Sequence, residues 1–349
     1  MTSFTQVAII GAGTMGGGIA ISAICNGIEV TLIDTSEEAL SRVKQRVAKY
    51  LERQVEKGRM SMEIASIAGS RLHVSTDFAS AADADLVIEA VFEDLEVKKS
   101  VFSQLELIVS EACHLATNTS GLKVSDIGRT LTYPDRLCGL HYFSPAELNP
   151  IVEVVLSDTS LDSTIDAALS FLEQCRKTPI KCNDQSGFAL NRFFCPYTNE
   201  AARCLDDGLG TPAQIDAVAK DAFGVPVGPF FVMNIVKPRI NLAAVRNLAH
   251  LGPFYTPANS LSVTGDADEN WEIEKNPAAL NPQSHKVVAD RLRGAVFFAV
   301  QEELNENIAK PEDIDLGARS AFGFNKGPVK MMDELSNEEV VRLIRIPKQ

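Results

Sequence analysis

TQVAIIGAGTMGGGIAISAICNGIEVTLID, residues 5–34, is the stretch whose reading decides the fold. Residues 7–10 form an apolar, β-branched run too short for a helix before the glycines, so they read as a buried strand. Gly11-x-Gly13-x-x-Gly16 follows and opens a small-residue helix that runs to about Cys25. A second strand, 29–33, ends in Asp34. In this context each glycine has its own task. Gly11 permits a tight turn, Gly13 lets backbone approach a pyrophosphate, and Gly16 lets helix and strand pack closely. Thr14 and Met15 begin the helix, whose unpaired N–H groups and positive dipole end favour phosphate. Asp34 is spaced to accept hydrogen bonds from an adenosine ribose and to repel a 2′-phosphate, which selects NAD over NADP.

With 349 residues the chain can hold more than one domain, and its net charge of −13 disfavours nucleic acid and anionic membrane surfaces as partners. The seven cysteines form no CxxC pair and no Cys/His cluster at zinc spacing, so free thiols are expected and no metal site. No apolar stretch reaches the roughly 18 residues that suggest a transmembrane helix. The few residues before the first strand leave no room for a signal peptide. The expected setting is cytoplasmic.

Beyond Asp34 a helix is expected over 36–57, with Leu40, Val43, Val47 and Leu51 on one face. Its other side carries Arg42, Lys44, Lys49, Arg53 and Lys57, which is either a solvated face or a platform for a phosphate-bearing substrate. Strands are expected at 72–75 (after a turn at Gly69), 85–89, 114–117, 137–142, 151–156 and 178–181. Helices lie between them, one ending near 110 and one over 161–175, which gives a doubly wound α/β sheet over residues 1–184. Ligands bind such sheets beyond the carboxyl ends of the strands, where Glu93, Asn118, Ser120 and His141 fall.

From Gly187 the pattern is helical throughout, and it repeats. Pro212-Ala-Gln-Ile-Asp216 shifted by 99 positions lands on Pro311-Glu-Asp-Ile-Asp315. The same shift brings Ala222-Phe223-Gly224 onto Ala321-Phe322-Gly323, Gly228-Pro229 onto Gly327-Pro328, and Arg192 onto Arg291. The expected organisation is a first helical module within 185–283 and a second within 284–349. Residues 237–283, rich in Pro, Asn and Asp, read as a surface excursion with short helices.

His141 and Glu153 lie on two successive strands joined by about eight residues, a spacing that fits an antiparallel pair with the two side chains adjacent. A His held by a carboxylate is a standard general base. Ser120 is either a hydrogen-bond donor to a substrate oxygen or a turn serine. Asn191 either serves a substrate or ties elements together. Glu93 and Lys98 either pair with each other on a surface or meet the nicotinamide ribose.

Several further motifs occur in order: GAGTMG at 11–16, EAVFEDLEVKKSVF at 89–102, NTSGL at 118–122, GLHYFSP at 139–145 with VEVV at 152–155, GFALNRFF at 187–194, and FGVPVGP at 223–229. Together they resemble the L-3-hydroxyacyl-CoA dehydrogenase family over nearly the whole chain. The resemblance implies a Rossmann-type sheet followed by an all-α region, NAD as cofactor, and oxidation of a (3S)-hydroxyacyl-CoA in fatty-acid β-oxidation. It places the catalytic set on His141, Glu153, Ser120 and Asn191, with ribose and nicotinamide contacts on Glu93, Lys98 and Asn118. It places CoA on Lys49, Arg53 and Lys57. Relatives of the fold oxidise free hydroxy acids, so a non-CoA hydroxy acid or cyclic alcohol is the alternative substrate. The doubled module resembles the tandem of multifunctional fatty-acid oxidation proteins, which implies either a homodimer or a monomer with an intrachain pseudo-dimer. Ala146-Glu147-Leu148-Asn149-Pro150 departs from the family pattern by adding an acid, Glu147, near His141 in sequence.

Overall fold

The computed structural model describes residues 4–346. The chain divides into two units, the first ending at Asp184 and the second starting at Gln185. The first unit runs β1 (Gln6–Ile10), α1 (Thr14–Ile24), β2 (Glu29–Ile33), α2 (Glu37–Glu56), α3 (Met62–Ser70), β3 (Leu72–Ser75), β4 (Leu86–Glu89) and α4 (Leu95–Glu106). It continues with β5 (His114–Thr117), α5 (Val124–Gly128), β6 (Leu137–Tyr142), β7 (Ile151–Leu156), α6 (Asp162–Gln174) and β8 (Thr178–Asn183). The sheet order is β3-β2-β1-β4-β5-β6-β7-β8. All neighbours are parallel except β6 and β7. The chain reverses its direction of travel across the sheet between β1 and β4, the switch point where such folds bind ligands.

Ile9, Val30, Leu32 and Ile88 of the sheet are buried in one core cluster with Ile19 and Ile24 of α1, Leu40, Val43, Val47 and Leu51 of α2, and Phe171 and Leu172 of α6. Strands β4 and β6 are buried at every position, as expected for strands covered on both faces. Ser36, Ser61 and Asp94 accept backbone N–H bonds at the starts of α2, α3 and α4. Gly69 lies inside α3 and does not form a turn before β3. Helix α4 stops at Glu106, short of the expected 110.

The second unit comprises α7 (Leu190–Asp206), α8 (Pro212–Phe223), α9 (Pro229–Val236), α10 (Pro238–Leu248), α11 (Asn259–Asp266), α12 (Pro282–Asn305), α13 (Pro311–Phe322), α14 (Pro328–Asp333) and α15 (Asn337–Arg345). Among the described residues, no helix is long and apolar enough to cross a membrane. Stretch 237–283 is more than a surface excursion. In α10, Leu242, Val245 and Leu248 are buried, and Asn241 hydrogen-bonds Thr198 of α7. Asn199 of α7 in turn binds backbone at Thr256 and Ala258.

The sequence repeat is a structural repeat with pseudo-two-fold contacts. Helices α8 and α13 begin and end 99 positions apart, and both finish in a left-handed glycine, Gly224 and Gly323. Arg192 pairs with Glu306, and 99 positions on, Arg291 pairs with Asp207, the counterpart of Glu306. A Cβ on Gly224 would meet Asn325 at 2.5 Å, and one on Gly323 would meet Pro226, the counterpart of Asn325, at 2.9 Å. Each copy therefore offers the other the same surface, as the halves of a two-fold dimer do.

Both modules use an aspartate to hold the helix that follows. Asp216 accepts Phe230 N at 2.8 Å and Phe231 N at 3.0 Å, and Asp315 accepts Val329 N and Lys330 N. Burial pushes the Asp216 carboxyl up to about 6, outweighing these two donors and Lys220. Its folded pKa thus lies above the unfolded value, so the folded state binds the proton more tightly between about pH 4 and 6. Stability then falls as pH rises through that window, by up to about 3 kcal/mol at 1.36 kcal/mol per pK unit. The melting temperature of Asp216→Asn, which cannot ionise, should show a flatter slope over the same range. An unchanged slope would assign that titration to another group.

Candidate active site

The glycine loop has the three shapes that its spacing predicts. Gly11 has φ +109°, and a Cβ there would lie 2.5 Å from Ala90 O. A Cβ on Gly16 would lie 1.9 Å from Gly11 O, so the helix packs directly on the turn. Gly13 is the opposite case, since a Cβ there meets nothing within 4 Å. It is exposed and caps α1 without a side-chain hydrogen bond, so no side chain covers the first N–H groups of the helix at its cap. An open helix start of this kind has the form that suits a pyrophosphate. Thr14 and Met15 form the first turn of α1. Asp34 accepts Ala12 N at 2.7 Å and Ser36 N at 2.8 Å. Its carboxylate therefore ties the glycine turn to the start of α2 at the position expected for a ribose.

The His–Glu reading rests on a register that the structure contains. In the antiparallel β6–β7 pair His141 stands directly opposite Glu153. His141 Nδ1 is 2.5 Å from Glu153 Oε2, with the imidazole 6% exposed and the carboxylate 0%. The His141 ring also leans on Phe143, with centroids 4.5 Å apart. A proton on Nδ1 donated to Glu153 makes Nε2 the basic nitrogen of the ring. Asn118 Oδ1 accepts Tyr142 N at 2.9 Å and so ties the end of β5 to β6 beside His141.

Glu93 and Lys98 pair with each other, with Glu93 at the surface and Lys98 beneath it. Lys98 is 1% exposed, and its Nζ lies 3.3 Å from Glu93 Oε2 and 2.6 Å from Glu89 Oε1. Burial works against the charge on Glu93, but Lys98 and hydrogen bonds from Thr119 and Ser120 overcome it and hold the carboxyl below its usual value. Glu93 Oε1 accepts Thr119 Oγ1 at 2.6 Å, Ser120 N at 2.8 Å, Gly121 N at 3.0 Å and Ser120 Oγ at 3.2 Å. The loop that carries Ser120 is thus moulded around Glu93. Glu89 is the member of this cluster that periodicity missed, because it ends an apolar strand run. The available signal was an acid in a strand otherwise too apolar to hold one.

Lys49 and Arg53 on α2 and Lys57 just past its end lie exposed, with no ion pair among the described residues. Glu147, the added acid, is bound by Arg46 at 2.8 and 3.0 Å. Arg46 also reaches Thr14 O at 2.7 Å, so Glu147 braces the start of α1. Asn191 stands half-buried in the first turn of α7, in the second unit. Its counterpart in the second module, Asp290, is bound by Lys286 at 2.6 Å and Arg342 at 2.9 Å.

An uncapped, glycine-lined helix start at the switch point of such a sheet is the architecture of nicotinamide-dinucleotide dehydrogenases. Residues 6–185 match the family model for the NAD-binding domain of 3-hydroxyacyl-CoA dehydrogenase. Residues 187–269 and 287–345 match its C-terminal domain, and the chain belongs to that family. It is 37% identical over 243 residues to 3-hydroxyadipyl-CoA dehydrogenase of Escherichia coli (strain K12), covering 70% of this chain and 51% of the relative. The chain thus spans about half the length of that curated relative. The crystal structure of 3-hydroxybutyryl-CoA dehydrogenase from Escherichia coli K12 shares the fold, with a TM-score of 0.89 at 24% identity, over 99% of this chain and 94% of that one. (S)-3-hydroxybutyryl-CoA dehydrogenase from Ralstonia eutropha superposes with a TM-score of 0.73 at 29% identity, over 77% of this chain and 100% of that one.

Proposed function

We propose that this protein interconverts a (3S)-hydroxyacyl-CoA and the 3-oxoacyl-CoA, with His141 as the general base. The observation that carries the reading is the buried His141–Glu153 pair, 2.5 Å apart on adjacent strands of the NAD-binding unit. His141 Nε2 takes the proton of the 3-hydroxyl, and Glu153 stabilises the imidazolium as it forms. NAD⁺, when bound in the glycine cradle, supplies the hydride acceptor. Ser120 holds a substrate oxygen and favours the developing carbonyl, and the family resemblance assigns Asn191 to the substrate as well. The hydroxyl of Ser120 is the longest of the four contacts to Glu93 Oε1, so it can swing to a substrate while the backbone bonds keep the loop in place. Glu93, Lys98 and Asn118 frame the nicotinamide ribose. Lys49, Arg53 and Lys57 are assigned to the CoA phosphates, since they are exposed cations without a carboxylate partner among the described residues. The second module, with a salt-bridged Asp290 in place of Asn191, serves as a structural partner to the first.

The test follows NADH absorbance with acetoacetyl-CoA and with free acetoacetate at matched concentrations. Oxidation of NADH with the thioester alone is the expected result, and oxidation with the free acid would transfer the chemistry to a non-CoA substrate. In the same assay Lys49→Gln/Arg53→Gln/Lys57→Gln should raise the KM for acetoacetyl-CoA about 10-fold, at roughly 0.5 kcal/mol per exposed charge. Turnover and NADH affinity should stay as they are. An unmoved KM would take CoA off this strip.

A further inference from the structure

We infer that Glu89, a residue that neither substrate nor cofactor can reach, is the positioning residue that sets Ser120 for catalysis. Glu89 ends β4 and stands in register with Ile10 of β1 on one side and Thr117 of β5 on the other. It therefore lies at the switch point, between the strand that leads into the glycine loop and the strand that leads into the Ser120 loop. Its carboxylate is 0% exposed and both oxygens are engaged. Oε1 accepts Lys98 Nζ at 2.6 Å and Val91 N at 2.7 Å, and Oε2 accepts Thr117 Oγ1 at 2.6 Å.

A central parallel strand favours apolar residues, and burying a carboxylate and an ammonium together costs desolvation that their attraction repays only in good geometry. A hydrophobic pair would fill the same space at less cost. What an apolar pair cannot do is hold a third charge. Lys98 bridges Glu89 to Glu93, and Glu93 gathers the loop at Thr119, Ser120 and Gly121. The order of action runs from Glu89, which fixes the ammonium, to Glu93, which the ammonium fixes, to the Ser120 backbone. Replacing the Glu89 carboxylate by an amide leaves Lys98 matched by Glu93 alone. The ammonium then moves toward Glu93 and competes with the loop for that carboxylate. The inference rests on the roles proposed above for Ser120 and His141.

The test is a double-mutant cycle in the full-length protein with acetoacetyl-CoA and NADH. Glu89→Gln and Ser120→Ala are made singly and together. Glu89→Gln is expected to lower kcat about 10- to 100-fold, the scale of a misplaced catalytic contact. Because Glu89 acts through Ser120, the double variant should fall no further than the lower of the two singles. Costs that multiply would make Glu89 a merely structural residue and overturn the inference, as would wild-type turnover in Glu89→Gln. Should Glu89→Gln fail to fold, the same cycle is run with Glu89→Asp, which keeps the charge but draws the carboxylate back from Lys98 by one methylene, and multiplying costs or wild-type turnover there overturn the inference equally. The two readings separate through His141→Gln. Full activity in that variant defeats the proposed mechanism and takes this inference with it. An inactive His141→Gln beside multiplying costs strikes at Glu89 alone.

Discussion

His141→Gln is expected to lower turnover of a 3-oxoacyl-CoA about 10²- to 10⁴-fold, the range that a positioned general acid–base supplies. The amide keeps much of the size of imidazole and can hydrogen-bond Glu153, but it cannot carry the proton that the 3-hydroxyl gains and loses. Since His141 sits on β6 and the glycine cradle on the β1–α1 turn, NADH affinity measured by fluorescence should change little. The pair should also show asymmetry. Glu153→Gln keeps a basic imidazole and removes only its support, so it should cost less than His141→Gln. Full activity in His141→Gln would remove this histidine from the mechanism, and a large loss of NADH binding would mean that the substitution disturbs the sheet.

Gly16→Ala should be the most damaging small substitution in the first unit. The added methyl would stand 1.9 Å from the backbone oxygen of Gly11, which already has φ +109° and abuts Ala90. No side chain can swing aside to relieve that contact, so α1 must shift away from β1. Overpacking of this kind costs about 1–3 kcal/mol and more where backbone must move, which corresponds to a fall of roughly 2–12 °C in melting temperature for a unit of this size. NADH binding should fall with it, because the displaced helix start is the phosphate cradle. Gly13→Ala is the control. Its φ is −81° and its methyl meets nothing within 4 Å. It should therefore melt like the parent and yet bind NADH at least 10-fold more weakly, because the methyl occupies the space left for the pyrophosphate. If Gly13→Ala bound NADH normally, the cradle would be misassigned; if Gly16→Ala melted like the parent, the helix–turn contact would not matter to stability.

Much of this was legible in the residues because their physics is local. β-Branched runs bounded by glycine became β1 and β2, and two strands joined by a short loop set His141 against Glu153. Helix α3 escaped the reading because its buried face is made of small residues, Ala65 and Ala68, while Ile64 and Ile67 point outward. Apolar periodicity looks for large residues inside. In 237–283 the prolines and asparagines that suggested loops are helix starts and ties to α7, as at Pro238 and Asn241. Glu89 escaped for a different reason, since its partners, Lys98 and Thr117, are assembled by the sheet and are distant in the chain. The repeat was visible, but the salt bridges across it were not, because Asp207 and Glu306 correspond in charge and not in identity.

The tandem modules have a consequence for how this chain can change. In a pair of identical subunits every substitution enters twice, once on each side of the axis, so an unfavourable one is felt twice over. Here each change enters once. Asn191 can remain in the first copy while the second carries a salt-bridged aspartate, and Phe194 can stack on Phe322 with an arginine, Arg293, at its own counterpart. The tether also keeps the halves together at a local concentration that dilution of the protein does not alter. One half is free to drift while the other is held to its task.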